Sequence, residues 1–287
     1  MPFRSFAPKM QWIQRLPTRV GEGERSMAGA NDPMTAMFGL RDKVAVVTGS
    51  SRGIGRSIAE CMAALGAKVV VSSRKADACE EVAKEIAARG GETAVIPCNI
   101  SRRPEVEALV AGTLERFGKI DILVCNAAVN PAFGPMSQLT DEAFDKIMNS
   151  NVKSNLWLCN LAIPGMAERG GGSVIIVSSI AGLRGNAVIG AYGISKAADF
   201  ALARNLAVEW GHKNVRVNCI APGLIKTDFA KALWENPDIL KNRMAVTPLR
   251  RIGMPDEMGG IAAFLASKAA SFITGQVIVA DGGVTIA

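Results

Sequence analysis

From Lys43 onward, short unbroken apolar runs alternate with longer stretches in which apolar residues return every three or four positions. The runs are Val44-Ala45-Val46-Val47, Val69-Val70-Val71, Ala94-Val95-Ile96, Ile122-Leu123-Val124, Val174-Ile175-Ile176-Val177, Val215-Arg216-Val217 and Val277-Ile278-Val279. They largely lack the apolar–polar alternation of a half-exposed strand, which predicts strands buried on both faces. Between them, Ile54, Ile58, Met62 and Leu65 share one helical face, as do Val106, Leu109, Val110, Leu114 and Phe117. Val82 and Ile86 mark a helix between the second and third runs. A long helical region is predicted from Asp141 to about Ala162, another helix around Tyr192, and two more before the last strand. Strands separated in this way by helices predict an α/β architecture. The expectation is one doubly wound domain over residues 41–287, its seven-stranded parallel sheet covered on both sides.

Two segments depart from the pattern. Residues 1–40 mix prolines, arginines and glycines without a period, and the first twenty are basic, free of acids, and carry Phe3, Phe6, Trp12, Ile13 and Leu16. Such a composition has features of an organelle transit peptide. Met27, Met34 and Met37 offer later starts, so the expectation is a disordered N-terminal extension, with the transit peptide and an extended start as alternatives. After Pro222-Gly223, about thirty residues precede the next clear helix, longer than ordinary connectors and of the length of a functional lid.

Composition narrows the chemistry. A 287-residue chain with 49% hydrophobic residues buries a sizeable core. The single histidine, His212, excludes a multi-histidine metal site, and its place near a helix end suits a cap or a surface group; no metal is expected. The net charge of +7 is scattered, without a polybasic run, so a nucleic-acid surface is not indicated. No apolar stretch is long enough to span a bilayer. The six cysteines show no C-x-x-C pairing and fall mostly in apolar segments, which reads as reduced core thiols of a cytoplasmic protein.

Ligands of doubly wound sheets bind beyond the carboxyl ends of the strands. Here six consecutive ends carry glycine or small polar residues: Gly49, Ser72-Ser73-Arg74, Asn99, Asn126-Ala127-Ala128, Ser178-Ser179 and Ala221-Pro222-Gly223. Turn chemistry alone accounts for some of these; all six together predict one continuous crevice. Gly49, Gly53 and Gly55 allow backbone N–H groups to approach a pyrophosphate at a helix N-terminus. Tyr192 and Lys196, four residues apart, share a helical face, so the ammonium is expected to draw the phenol's pKa of about 10 towards neutrality. Ser73 and Arg74 stand where an NAD site usually holds an acid, and Arg52 lies in the glycine loop. Two guanidiniums there suit a 2′-phosphate, hence NADP(H).

The motifs T-G-x-x-x-G-x-G at Thr48–Gly55, Asn126-Ala127-Ala128, Ser179 thirteen residues before Tyr192, Y-x-x-x-K, and P-G-x-x-x-T at Pro222–Thr227 occur in this order. Over about residues 40–287 the chain resembles the short-chain dehydrogenase/reductase family. The resemblance implies a Rossmann fold and hydride transfer between a nicotinamide and a small carbonyl or alcohol. It makes Tyr192 the general acid/base, Ser179 the group that hydrogen-bonds the substrate oxygen, and Lys196 the group that lowers the tyrosine pKa and holds the ribose. Asn151 would complete a water relay to that lysine. Gly49, Ser51, Arg52, Gly53, Ile54, Gly55, Ser73, Arg74, Asn99, Ile100, Asn126, Ala127, Ala128, Tyr192, Lys196, Pro222, Gly223, Ile225 and Thr227 would line the cofactor. Where the family usually has an aspartate near the adenine amine, this chain has Asn99, whose amide oxygen still accepts a hydrogen bond.

The stretches following Asn126 and Arg216 resemble NADP-dependent carbonyl reductases that accept retinal and aromatic ketones. Homotetramers are typical of the family, and apolar faces at Leu109–Phe117 and Leu156–Leu161 would serve either an interface or the core. The substrate expectation is a bulky apolar ketone or aldehyde, with Phe133 and Met136 facing the lid across the crevice. A 3-oxoacyl-thioester reductase shares every motif named, with Arg243, Arg250 and Arg251 as its basic candidates. A catalytically inactive nucleotide-binding regulator is the alternative outside the enzymes.

Overall fold

The computed structural model describes residues 32–287. Residues 1–31, which hold most of the predicted extension, lie outside that range. The remainder of the extension is structured: Asp32 caps a short helix α1 (Pro33–Phe38), its carboxylate accepting from the Thr35 N–H. Leu40 is buried and donates its N–H to the Leu65 carbonyl.

The chain then alternates β1 (Val44–Thr48), α2 (Gly53–Ala64), β2 (Lys68–Ser72), α3 (Ala76–Ala88), β3 (Thr93–Val95), α4 (Arg103–Phe117) and β4 (Ile122–Cys125). The predicted long helix is divided into α5 (Asp141–Met148), a π-helical turn (Asn149–Lys153) and α6 (Ser154–Glu168). There follow β5 (Gly172–Val177), α7 (Gly190–Trp210) and β6 (Val215–Pro222). The segment after Pro222 is more ordered than predicted. It holds α8 (Lys231–Trp234) and α9 (Pro237–Ala245), with Asn236 capping α9, before α10 (Pro255–Ala266) and β7 (Val277–Ala280).

All seven strands form one parallel sheet in the order β3-β2-β1-β4-β5-β6-β7. The order reverses between β1 and β4, where Val47 pairs with Val71 on one side and Val124 on the other. Successive side chains of a strand enter opposite cores. Ala45 and Val47 pack with Ile58, Met62, Val82 and Met258. Val46 packs on the other face with Val106, Leu109, Leu158 and Phe200. Because both faces are filled this way, the runs show no alternation. The sheet's carboxyl edge is left to carry the loops.

All six cysteines are free, and all but Cys61 are buried. His212 lies exposed in the 3-10 turn that ends α7. Among the described residues no helix is long and apolar enough to cross a membrane.

Candidate active site

A crevice of about 1230 Å³ runs along the carboxyl ends of the strands. The sheet's reversal opens it: the loops after β1 and β4 leave in opposite directions. Every candidate cofactor residue lines it, from the glycine loop through Ser73, Arg74, Asn99, Ile100 and Asn126 to Thr227. Ser179, Tyr192 and Lys196 line its far end. Asn151 does not.

The glycine loop is built for backbone approach. Gly49 adopts φ 66°, a left-handed conformation that a side chain would strain. A Cβ on Gly55 would stand 2.3 Å from the Gly49 carbonyl oxygen and 2.4 Å from Asn126 Nδ2. Asn126 Nδ2 donates to the carbonyls of Thr48 (2.9 Å) and Gly49 (3.1 Å), locking the loop after β4 against the loop after β1. At the start of α2, Arg52 occupies the capping position without a side-chain cap, and no acid stands in the first turn. The free N–H groups of a twelve-residue helix therefore face the crevice, a donor set that fits a pyrophosphate.

The adenosine end is more occupied than the sequence implies. Arg52 Nη1 lies 3.4 Å from Asp228 Oδ2. Ser73 Oγ accepts from the Lys75 N–H at 3.3 Å, closing the turn after β2. Asn99 Oδ1 accepts from the Ser101 N–H at 3.1 Å, which leaves one lone pair for an amine.

At the other end, α7 brings Tyr192 and Lys196 onto one face, below β5 and Ser179. Lys196 is almost wholly buried; its Nζ lies 5.6 Å from the Tyr192 ring centroid and donates to the Val177 carbonyl at 3.0 Å. Its third neighbour is Asp199 Oδ2, at 3.1 Å, on a carboxylate with no solvent exposure. Burial works against the ammonium, but Asp199 and then Tyr192 outweigh it and hold the lysine pKa above its ordinary value. The expected drop of the tyrosine pKa is corrected here. Burial of the phenol raises it, Lys196 opposes that, Asp199 adds to the rise, and the Ser179 hydroxyl lowers it, with a net upward shift.

Asn151 sits in the π turn, a distortion frequent at functional sites. Its side chain is spent on structure. Oδ1 accepts from the Val129 N–H (2.8 Å), and Nδ2 donates to the Val129 carbonyl (3.0 Å) and Ser195 Oγ (3.1 Å). It thereby ties the loop after β4 to α7. The Asn151 carbonyl accepts from Asn155 Nδ2 at 2.6 Å.

The substrate side is walled by Phe133, Val188, Phe229, Leu233, Val246 and Leu249. The Tyr192 and Phe229 rings are 6.1 Å apart, centroid to centroid. Of the predicted apolar wall, Met136 is displaced: its sulfur packs where a Cβ on Gly190 would stand, outside the crevice. Trp234, Ile239, Leu240 and Met244 also stay out of it, whereas Arg184 and Arg243 line it. Sequence reasoning missed Asn155, Asp199, Asp228 and Arg184. A signal existed for Asp199, which continues the helical face of Tyr192 and Lys196 at the next turn.

A parallel sheet with a glycine loop at its reversal, a serine just past β5, and a tyrosine and lysine on α7 defines a nicotinamide-dependent oxidoreductase of the Rossmann type. The chain belongs to the short-chain dehydrogenase/reductase family: the family model described as enoyl-(acyl carrier protein) reductase matches residues 49–285. Dehydrogenase/reductase SDR family member 4 of Oryctolagus cuniculus is 44% identical over 254 residues, spanning 88% of this chain and 98% of that protein. Among solved structures, a 7α-hydroxysteroid dehydrogenase complexed with NADH and 7-oxo glycochenodeoxycholic acid superposes with a TM-score of 0.84 at 38% identity, over 87% of this chain and 96% of its own. A gluconate 5-dehydrogenase from Burkholderia cenocepacia in complex with NADP and tartrate reaches 0.84 at 28% identity, over 88% and 99%.

Proposed function

We propose that this oxidoreductase moves a hydride between NADP(H) and a carbonyl or secondary alcohol, with bulky apolar ketones or aldehydes as the preferred substrates. One observation carries the reading: Ser179, Tyr192 and Lys196 line the same crevice as the glycine loop, Ser73 and Arg74. When bound, the nicotinamide supplies or accepts the hydride. The uncapped start of α2 would hold the pyrophosphate, and Lys196 would hold the ribose. Ser179 donates to the carbonyl oxygen and Tyr192 gives it a proton, or removes one in the reverse direction. Asn151 acts by holding the loop after β4 and α7 together.

NADP(H) is favoured by Arg52 and Arg74 at the adenosine end, where Ser73 replaces a carboxylate that would repel a 2′-phosphate. Both NADH and NADP occur in the complexes of the structural relatives, so cofactor preference must come from this chain's own residues. The apolar wall around Phe229 supports the substrate class. Arg184 and Arg243 favour a second reading, an anionic substrate, although Arg184 already donates to the Val284 carbonyl at 3.0 Å.

A panel of ketones, aldehydes, keto acids and 3-oxoacyl thioesters, assayed with NADPH and NADH, tests the proposal. Efficiency should rise along a homologous ketone series, since each buried methylene contributes about 0.8 kcal/mol. A flat trend, or preference for a charged acid or thioester, would overturn the substrate reading. No turnover with any partner would leave a nucleotide-binding regulator.

We further propose a homotetramer, which the exposed Leu114, Leu156 and Leu161 on α4 and α6 support, while Leu109 and Val110 belong to the core. Light scattering that gives a monomer mass would refute it. We also propose a cytoplasmic location, which the free thiols support; fractionation of cells expressing the full chain checks it. Residues 1–31 are proposed to be an extension dispensable for folding.

A further inference from the structure

We propose that Asp199 is a positioning residue for the reaction: as the internal counter-ion of Lys196, it fixes the ammonium and offsets its field at Tyr192. This inference rests on the roles proposed above for Tyr192 and Lys196. It concerns a carboxylate to which none of those roles refers.

Tyr192, Lys196 and Asp199 fall at intervals of four and three residues on α7, so their side chains share one face. Asp199 is fully buried, yet both its oxygens are engaged. Oδ2 accepts from Lys196 Nζ at 3.1 Å and Oδ1 from Asn155 Nδ2 at 3.0 Å. Burial raises the carboxyl's pKa, and the Lys196 ammonium and the Asn155 amide, one at each oxygen, oppose that rise by favouring the ionised form. The same Asn155 nitrogen lies 2.6 Å from the Asn151 carbonyl. The connection from Asn151 to Lys196, which resemblance alone assigns to a water relay, therefore runs through two side chains: Asn151 carbonyl, Asn155 amide, Asp199 carboxylate, Lys196 ammonium.

The surroundings contain little else that is charged. From α7 come Tyr192, Lys196 and, one turn beyond, the exposed Arg204. From β5 come the Val177 carbonyl, which accepts from Lys196, and Ser178, whose hydroxyl donates to the Lys196 carbonyl at 2.7 Å. From α6 come Asn155 and Cys159, from β4 Cys125, and from β6 Cys219, whose Sγ lies 3.4 Å from the Asp199 carbonyl. A hydrogen bond with Cys159 and burial push the Cys125 thiol up, and burial does the same to Cys219, so neither contributes charge. Among the described residues packed around this site, the buried charges are Lys196 and Asp199.

A lone ammonium beside a phenol favours its ionised form, whereas an ammonium paired at 3.1 Å presents a dipole, whose field falls off faster. Tyr192 should thus stay neutral to higher pH than Lys196 alone would permit. A neutral phenol is the proton donor that carbonyl reduction requires, and alcohol oxidation should call for more alkaline conditions.

The test uses a convenience of the sequence: Tyr192 is the only tyrosine. The ultraviolet tyrosinate band of the whole chain reads this one residue, without substrate or cofactor, while circular dichroism follows the fold. In the unmodified protein the midpoint should lie above the ordinary tyrosine value of 10.0. In Asp199→Asn it should fall by about one unit or more, and the alkaline requirement of alcohol oxidation should fall with it. The double variant Lys196→Met/Asp199→Leu removes both charges and should titrate closer to the unmodified protein than Asp199→Asn does. It also serves if the single variant fails to fold, because an apolar pair leaves no stranded ion. A purely structural Asp199 would change the melting temperature and leave the midpoint in place, which overturns the proposal. An unmodified protein whose tyrosinate forms below the ordinary range overturns it without any variant. Since the titration needs no turnover, an inactive enzyme with the predicted shift refutes the proposed reaction and not the counter-ion.

Discussion

Asp228, just past β6, faces Arg52 of the glycine loop across the mouth of the crevice, Oδ2 to Nη1 at 3.4 Å. Both side chains are about two-thirds exposed, so the pair itself is worth at most about 1 kcal/mol. Its consequence is competitive: the guanidinium proposed to meet a 2′-phosphate is engaged by a carboxylate of the segment after β6. Asp228→Asn should therefore tighten NADPH binding severalfold and leave NADH binding nearly unchanged. Fluorescence titration with both cofactors checks this. An equal change for the two would show that Arg52 does not read the 2′ position.

The complementary change is at the end of β2. Ser73→Asp combined with Arg74→Ala introduces an acceptor for ribose hydroxyls and removes a partner for phosphate. Hydrogen bonds to charged groups contribute about 1.5–3 kcal/mol, so the NADPH-to-NADH preference should drop by about 10- to 100-fold. The ratio of kcat/KM values measures it, and an unchanged ratio would remove these residues from the adenosine site.

Tyr192→Phe should lower turnover by about 10²- to 10⁴-fold, the range of general acid–base catalysis, with the cofactor Kd little altered. Single-turnover rates and direct binding separate the two. Retention of more than a tenth of the rate would assign the proton transfer elsewhere.

Gly55→Ala tests the glycine loop. Its Cβ would meet the Gly49 carbonyl at 2.3 Å and Asn126 Nδ2 at 2.4 Å. The first is backbone, and Asn126 is held by two carbonyls, so neither yields cheaply. The expected cost is about 1–3 kcal/mol, seen as a lower Tm and weaker binding of both cofactors alike. A neutral effect would mean that the loop and α2 are looser than this geometry.

Much of this was legible in the residues. Runs such as Val174–Val177 announce strands buried on both faces, and each does lie in the parallel sheet. The glycine loop and the thirteen-residue step from Ser179 to Tyr192 are contiguous patterns, and they converge on one crevice. Other features depend on distant packing, which no local pattern carries. Met136 packs against Gly190 because the loop after β4 bridges to Ile189 at Gly134. The segment after Pro222 forms α8 and α9 although α9 has little apolar periodicity, its start being set by Asn236 and Pro237. The tyrosine pKa was misjudged because the Tyr192–Lys196 spacing reveals the helpful charge and neither the burial nor Asp199. Asp199 itself reads as one more position on the face of a helix until its neighbours are known.

Phe229 offers a test of the substrate wall that leaves the proton machinery untouched. Its ring stands 6.1 Å from Tyr192 yet is 56% exposed, so it is poorly covered by the protein itself and free to pack against a bound ligand. Truncating it removes apolar area from the ligand's side without emptying the core, and the melting temperature should hardly move. Full burial of a phenylalanine side chain is worth about 1.5–3 kcal/mol. Phe229→Ala should therefore reduce kcat/KM for bulky aromatic ketones by about 10- to 100-fold, largely through KM. For a ketone too short to reach the ring the effect should be small. The comparison of long and short substrates is decisive: a uniform loss in kcat for both would place Phe229 in ordering Tyr192, and no loss for either would take the lid out of substrate recognition.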